Sequence, residues 1–204
     1  LPISVKDEIT VPIVYEGRAA KVILDNTKLA EIEKYYDKCA EEGANEYQIE
    51  ESKKASANMN VILSDPDRLR ALANDFVQHY ENRVKEGSTL AGKAMFVSSD
   101  RQIAWALYKE IIALRPDWAE ERIAAEGAVL TKAEKQKIKP MPMIKMVMTR
   151  DKDDEKELWD ILGTAEYRKE LDRQFKQPKS NFKIAIVVDM WLTGFDVPEL
   201  DTMY

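Results

Sequence analysis

Apolar and polar residues follow two alternating patterns from residue 93 to the end of the chain. Short runs of continuous apolar residues predict strands, and apolar residues repeated every three or four positions predict helices. The predicted strands are 93–98, 144–149, 183–188 and the start of one at 200–204, and the predicted helices are 101–114, 153–162 and 165–175. Strands that are apolar on both faces, with helices between them, are typical of a parallel sheet covered on both sides.

The first 90 residues have a different pattern. Two β-rich runs around Glu16-Gly17 predict a hairpin over 11–24, and the spacing of apolar residues predicts a helix over 27–43. A second helix is predicted from Pro66 to Glu86, because Asp65-Pro66 is a typical helix start and Gly87 a typical stop. We therefore divide the chain into a mainly helical lead-in, residues 1–90, and an α/β domain, residues 91–204. Residues 40–60 support no functional prediction.

Composition excludes several classes of protein. The 45% of hydrophobic and 33% of charged residues are ordinary for a globular protein. No apolar run approaches the roughly 18 residues of a membrane span, and no signal peptide opens the chain. Cys39 is the one cysteine and His79 the one histidine, so an internal disulfide and a Cys/His zinc site are both excluded. The lone cysteine suits a reducing compartment, and we expect a cytoplasmic location.

Net charge bears on nucleic-acid binding. The formal net charge is −6 at pH 7, whereas a protein that binds nucleic acid on its own usually has a basic excess. The isolated chain is therefore not expected to bind DNA tightly. A local basic strip that binds DNA within a larger complex stays possible.

Two segments resemble known ligand-binding motifs, but each is better explained by its structural context. GSTLAGK, residues 87–93, has the spacing of a phosphate-binding loop, but it follows a predicted helix and precedes a predicted strand, the reverse of what that loop requires. The acids at 151–157 lack the spacing of a calcium loop, and acids are favoured at the start of a helix by its dipole. We predict no metal site from either.

Two other segments follow predicted strands, where open α/β sheets collect their ligands. Ser98-Ser99-Asp100-Arg101 follows the first strand and could bind a phosphate through hydroxyl and N–H groups. Spacing alone favours a simple helix cap, in which Ser or Asp accepts an N–H bond. Asp189 to Pro198, DMWLTGFDVP, follows the strand at 183–188. A structural turn explains its Gly and Pro but accounts less well for Thr193, Gly194 and Asp196 together.

The sequence around these segments resembles the R subunits of type I restriction enzymes. The resemblance is carried by FKQPKSNFKIAIVVDMWLTGFDVPELDTMY (175–204), and by KAMFVSSDRQIAWALYKEI (93–111) and the stretch 143–175 in the same order. It runs from about residue 90 to the end and, more weakly, through the lead-in. TGFD-x-P after a V-V-D-M strand is specific in this context, whereas a bare G-x-D would be a weak signal.

The resemblance implies a superfamily 2 motor, in which two RecA-like domains bind ATP between them and duplex DNA across them. This chain would then be a truncated second RecA-like domain with its lead-in. Ser98, Ser99 and Arg101 would belong to motif IV, and Asp189 to Asp196 to motif V. The family implies DNA binding for Ser98, Ser99, Arg101 and Thr193, and nucleotide binding for Gly194 and Asp196.

The same resemblance implies partners and limits. ATP and Mg²⁺ would be held mainly by the first RecA-like domain of the parent chain, which would act on duplex DNA with methyltransferase and specificity subunits. We expect this chain to end before motif VI and to carry no catalytic or metal-binding residue. The parent would be an ATP-hydrolysing endonuclease, and the fragment alone would be inactive.

Two alternatives stay open at this stage. One is a superfamily 2 translocase or helicase without a nuclease, and the other is a non-enzymatic α/β module that binds partners. A nuclease domain elsewhere in the parent would favour restriction. The DNA sequence recognised, the direction of translocation and the cleavage rule are not encoded in this segment.

Overall fold

Four parallel strands form the centre of the computed structural model, which describes residues 14–17 and 63–204. The sheet has the order β2-β3-β1-β4, and each neighbouring pair is parallel. The strands are β1 (Lys93–Val97), β2 (Ile144–Val147), β3 (Ile184–Val187) and β4 (Leu200–Met203). The helices are α1 (Pro66–Lys85), α2 (Arg101–Leu114), α3 (Lys132–Lys137), α4 (Lys156–Leu162), α5 (Ala165–Phe175) and a 3₁₀ turn (Pro116–Ala119).

This architecture confirms the predicted α/β class, with a parallel sheet consistent with a RecA-like fold. All four predicted strands are present, and α2 and α5 have the predicted bounds. Helix α1 ends one residue earlier than predicted, and α4 begins at Lys156 rather than at residue 153. The residues of β3 alternate between the two faces and are all fully buried, which explains the continuous apolar run.

Helices α1, α2 and α4 cover one face of the sheet. Ile184 and Ile186 of β3 contribute to this core, together with Phe96 of β1 and Phe76 of α1. The rings of Phe76 and Phe96 meet edge to face, with centroids 5.5 Å apart. The predicted boundary at residue 90 therefore separates two stretches of sequence that share one core, since α1 lies before it.

Helix α5 and the segment after β3 cover the other face. Ala185 and Val187 of β3 pack there with Leu171 and Phe175 of α5 and with Val197 from the segment. Both faces of the sheet are thus covered, one mainly by helices and the other by a helix and an irregular segment.

The helix starts follow local side-chain chemistry. Asp65 accepts a hydrogen bond from the Arg68 amide at the start of α1, and Thr164 accepts one from Tyr167 at the start of α5. Helix α3 was not predicted, although Thr131 and Glu134 form a complete capping box there. Two hydrogen bonds, from Thr131 and Lys179, lower the pKa of Glu134 to about 2.

Some sequence predictions lie outside the described residues. The helix at 27–43 is one, and the hairpin at 11–24 is another, except for residues 14–17, which have no regular secondary structure. None of the described helices is both long enough and apolar enough to cross a bilayer.

Two lysines are buried at the amino end of the sheet. Lys93 donates to the Phe182 carbonyl at 2.6 Å and lies 4.9 Å from the centre of the Phe175 ring, and Lys183 donates to the Pro178 carbonyl at 2.6 Å. Burial and the nearby charge of Lys183 lower the pKa of Lys93 to about 6, against the attraction of Glu199. Burial lowers the pKa of Lys183 to about 8.

Lys93 makes stability depend on pH. Between its folded pKa of about 6 and its ordinary value of 10.5, the unfolded chain binds a proton that the folded chain does not. The free energy of unfolding should therefore rise with pH across this window and fall as pH drops toward 6. For one group the slope approaches about 1.4 kcal/mol per pH unit.

Lys93→Met should remove this slope. We expect the wild-type free energy of unfolding, measured by denaturant titration of the chain, to rise more steeply than that of the variant between pH 6 and 8. Lys183 contributes little in that interval, because its pKa is about 8. Lys109→Met, at an exposed position, serves as the control and should keep the wild-type slope. Equal slopes in wild type and Lys93→Met would contradict a neutral buried Lys93.

Candidate functional site

The two segments predicted to bind ligands begin side by side at the carboxyl edge of the sheet. Strands β1 and β3 are neighbours, with Val97 opposite Val187. The Ser98 amide donates to the Val187 carbonyl at 2.9 Å, so pairing continues to the first residue of the Ser98–Arg101 segment. Residue 188 follows β3 directly and is the first residue of the segment that leads to β4. The parallel register therefore fixes the two segments against each other at this edge.

The Ser98–Arg101 segment caps α2. The Asp100 carboxylate accepts from the amides of Gln102 and Ile103, at 2.7 and 3.3 Å. The helix-cap interpretation is thus confirmed, and Asp100 forms the cap. Ser98 is buried and its hydroxyl donates to the Asp100 carbonyl, while Ser99 is exposed. Of the two serines, Ser99 presents its hydroxyl to solvent; a phosphate contact by either remains a prediction.

Arg101 is held inside the chain by Asp154. Its Nε and Nη2 atoms donate to the two carboxylate oxygens of Asp154, at 2.9 and 2.7 Å, and Nη2 also donates to the Thr149 carbonyl. The Asp154 side chain is 1% exposed, and it also accepts from the Asp151 amide. This pair ties the start of α2 to the loop after β2. It leaves the Nη1 donors of Arg101 for any external acceptor, and the predicted DNA contact stays a prediction.

Three of the acids at 151–157, Asp151, Asp154 and Glu155, accept hydrogen bonds within the described residues. Besides Asp154, Glu155 precedes α4 and accepts from the Trp105 indole N–H at 3.0 Å. Among the described residues no group of three or more acids, histidines or cysteines is arranged to hold a metal ion.

The segment from residue 188 to 199 crosses the sheet face without regular structure. Because β4 is parallel to its neighbour β1, the chain must return from the carboxyl edge to the amino edge before β4 begins. Asp189, Trp191 and Gly194 have φ values of 50°, 62° and 67°. A left-handed conformation costs a residue with a side chain about 1–2 kcal/mol. Within the described residues, the amides of 189–196 donate no hydrogen bond, so other contacts must hold this conformation.

Stacked aromatic rings supply those contacts. The rings of Trp191 and Phe195 lie 4.1 Å apart between centroids and are nearly parallel, at 8°. Phe175, the last residue of α5, contacts both rings, with centroids 5.5 and 6.1 Å away. The Lys176 ammonium lies 4.9 Å from the centre of the Phe195 ring. Each aromatic pair adds about 0.5–1.5 kcal/mol beyond burial, enough together to offset the strained backbone.

Residues 192–194 lie between the two stacked residues, Trp191 and Phe195, in the sequence. Leu192, Thr193 and Gly194 are all exposed. A Cβ atom at Gly194 would meet nothing within 4 Å, so glycine is favoured there by its backbone conformation and not by lack of space. We call residues 192–194 the tip and the Trp191–Phe195 pair its aromatic base.

Asp196 follows the aromatic base and is exposed. In the described part of the chain, the side chains of Thr193 and Asp196 have no hydrogen-bond or ion-pair partner. The structure thus brings the start of the 188–199 segment to Ser98 and leaves Thr193, Gly194 and Asp196 open to an external ligand. It shows no hydrogen bond or ion pair between Asp196 and the described residues 98–101.

The comparisons with known proteins decide the family. The model of the family "Type I restriction enzyme subunit R domain 3" matches residues 18–204. The chain belongs to this family. It is 37% identical over 206 residues to the type I restriction enzyme HindI endonuclease subunit of Haemophilus influenzae, a match that covers 98% of the chain and 16% of the relative.

A second relative, from Methanocaldococcus jannaschii, also has a name that describes a type I restriction enzyme endonuclease subunit. It is 33% identical over 198 residues, which cover 96% of the chain and 16% of the relative. The chain therefore spans about a sixth of the length of these relatives. No solved structure matches it.

Two other places in this R-subunit domain 3 chain are less suited to ligands. The segment Gly87–Lys93 follows α1 and leads into β1, which confirms the predicted order of helix then strand, the reverse of the order in a phosphate-binding loop. An open groove of about 380 Å³ lies between α3 and α5 and is lined by Lys137, Lys139, Glu170, Asp172, Arg173, Lys176 and Gln177. Three of its cations already pair with the acids Glu170 and Asp172.

Sequence reasoning missed the residues that shape this domain's site. Asp154 was grouped with acids that favour a helix start, and its pairing with Arg101 bridges 53 positions. Trp191 and Phe195 were quoted within DMWLTGFDVP without a role. Their signal is two aromatic residues four positions apart around a Thr-Gly pair, which is recognisable once the segment is known to be a loop.

Arg101 and Asp154 should be energetically coupled. Removing one partner of a pair with a buried carboxylate leaves the other unpaired, so Arg101→Ala and Asp154→Ala should together cost less than the sum of their separate effects. We expect a coupling of about 1–3 kcal/mol in the free energy of unfolding. The exposed pair Arg70 and Asp67, 3.1 Å apart, is the control and should couple by less than about 0.5 kcal/mol. Additive effects at Arg101 and Asp154 would show that the pair does not hold α2 in place.

Proposed function

We propose that this chain is part of the DNA-translocating motor of a type I restriction enzyme R subunit, within its second RecA-like domain. It contributes Ser98–Arg101 as motif IV and Asp189–Asp196 as motif V to a cleft for ATP and duplex DNA. One observation supports this most directly: β1 and β3 end side by side, joined through the Ser98 amide and the Val187 carbonyl. Family membership provides the context, since it makes these two segments the motif candidates.

The chemistry at this edge suits phosphate and ribose. Ser99 and Thr193 offer exposed hydroxyls, and the tip offers amides that donate no hydrogen bond within the described residues. Hydroxyls and backbone N–H groups are common partners of DNA phosphates, and they position a protein without reading sequence. Asp196, exposed and without a partner among the described residues, is the candidate for a ribose hydroxyl near Gly194. Contacts that ignore sequence are what a translocating motor requires.

The parent subunit would supply the remaining parts. The first RecA-like domain would hold most of the ATP and Mg²⁺, and duplex DNA would cross both domains. The relatives' names describe endonuclease subunits, which supports a parent that cuts DNA in a complex with methyltransferase and specificity subunits. This chain alone should hydrolyse no ATP, because a cleft between two domains requires both.

The chain alone should bind duplex DNA weakly. Its net charge of −6 opposes the phosphate backbone, and it forms one side of the proposed cleft. At about 150 mM salt we expect a dissociation constant weaker than about 100 µM, the weak end of non-specific binding. Fluorescence anisotropy with a labelled duplex measures it. Micromolar binding regardless of DNA sequence would contradict the proposal that DNA affinity comes from the assembled cleft.

Asp196→Ala and Thr193→Ala should impair the motor without unfolding it, because both side chains are exposed. In the intact subunit assembled with its partners, Asp196→Ala should raise the KM for ATP about tenfold, equivalent to about 1.4 kcal/mol. Thr193→Ala should instead raise the DNA concentration needed for half-maximal ATP hydrolysis. Steady-state ATP hydrolysis with and without duplex DNA separates the two effects.

Asp160→Ala is the matched control, because Asp160 is an exposed aspartate on α4. It should leave both quantities unchanged. Wild-type ATP and DNA requirements in Asp196→Ala and Thr193→Ala would remove the 188–199 segment from the cleft and support a non-enzymatic module instead.

A further inference from the structure

We propose that the aromatic base, Trp191 and Phe195, is a positioning device that sets the orientation of the tip for binding DNA phosphates. The inference rests on the proposed function, since it assigns a role to residues beside the tip. Neither ring is proposed to touch DNA. Their task is to hold Thr193 and Gly194 in a conformation that the backbone does not maintain by itself.

The backbone of residues 189–196 does not hold its own conformation. No amide from 189 to 196 donates a hydrogen bond within the described residues, and the segment belongs to no helix or strand. Asp189 and Trp191 nevertheless adopt positive φ values, which side chains disfavour. A conformation of this kind persists only where surrounding contacts determine it. The contacts available to this segment are those of its side chains.

Stacked aromatic side chains provide the contacts that hold this segment. Trp191 and Phe195 lie on either side of the tip in sequence and stack face to face, 4.1 Å apart, so they close the loop at its base. Phe175 anchors the pair to the end of α5, where it also contacts Phe182, 4.9 Å away, next to the start of β3. The tip is therefore fixed to the rigid sheet through rings rather than through backbone pairing.

The exposure of residues 191–195 agrees with a half-buried aromatic base that supports an exposed tip. Trp191 and Phe195 are half-buried, whereas Leu192, Thr193 and Gly194 between them are exposed. A loop that served packing alone would not need three exposed residues between two stacked rings. A loop that presents hydroxyl and amide donors to a ligand needs this arrangement, because donors fixed before binding lose less entropy on binding.

Replacing Phe195 in the intact subunit, assembled with its partners, tests the proposal. Phe195→Leu keeps an apolar side chain but removes the flat ring, and it should raise the DNA concentration for half-maximal ATP hydrolysis about fivefold. The maximal rate should change much less, because the donors remain in place. Phe195→Tyr keeps the ring and should restore the wild-type DNA requirement. If Phe195→Leu does not assemble, Trp191→Leu is compared with Trp191→Phe in the same way.

Leu171→Ala is the control for a structural effect. Leu171 lies on α5 and is fully buried in the core on the same face of the sheet as the aromatic base, but it does not belong to that base. It should lower the thermal unfolding temperature without changing the DNA requirement. The proposal is overturned if Phe195→Leu behaves like Leu171→Ala, or if Phe195→Tyr fails to restore the DNA requirement.

Thr193→Ala in the same assay distinguishes failure of the positioning role from failure of the proposed function. If Thr193→Ala raises the DNA requirement and Phe195→Leu does not, the positioning role is wrong and the proposed function stands. If neither variant raises it, the tip takes no part in DNA binding and both proposals fall.

Discussion

The parallel pairing of β1 with β3 is the constraint on which the rest of the structure depends. β1 lies between β3 and β4, so its register determines which residues face each core and where each strand ends. A shift of one residue would exchange the two faces of the strand, placing Met95 where Phe96 packs against α1. It would also separate Ser98 from the Val187 carbonyl. Core packing and the proposed site are therefore fixed by the same register.

The two faces of the sheet are covered by different kinds of structure. On one side, α1, α2 and α4 pack as ordinary helices, and Arg101 and Asp154 tie α2 to the loop after β2. On the other side, an irregular segment replaces a helix and is held by the rings of Phe175, Trp191 and Phe195. A helix would satisfy its own amides, whereas the amides of residues 189–196 donate no hydrogen bond within the described residues. Under the proposed function, aromatic packing keeps these amides of DMWLTGFDVP available to DNA.

The elements could be predicted from the sequence where local chemistry determines them. Continuous apolar runs such as 183–188, and the caps at Asp65 and Asp100, act over a few residues, so the strands and the starts of α1 and α2 were predicted closely. Helix α3 was missed because it has six residues and buries none of them, leaving its capping box as the main signal.

The arrangement of the site could be predicted only in part. That both segments follow strands was evident from the pattern, but strand order depends on packing between residues about 90 positions apart. The Arg101–Asp154 pair bridges 53 positions and has no local signature. The stacking of Trp191 on Phe195 depends on positive φ values that favour glycine, at a position where the sequence has tryptophan. The family resemblance supplied the motif assignments, which periodicity alone left open.

Photo-crosslinking to duplex DNA tests the central claim most directly, that the tip and the neighbouring strand ends face DNA in the assembled enzyme. A photoreactive residue at the exposed position Leu192 is compared with one at Val129, exposed in the loop that contacts Lys179 before β3. We expect DNA crosslinks from position 192, reduced by raising salt, and few from position 129. Equal crosslinking at both positions, or crosslinking at 129 alone, would contradict this claim.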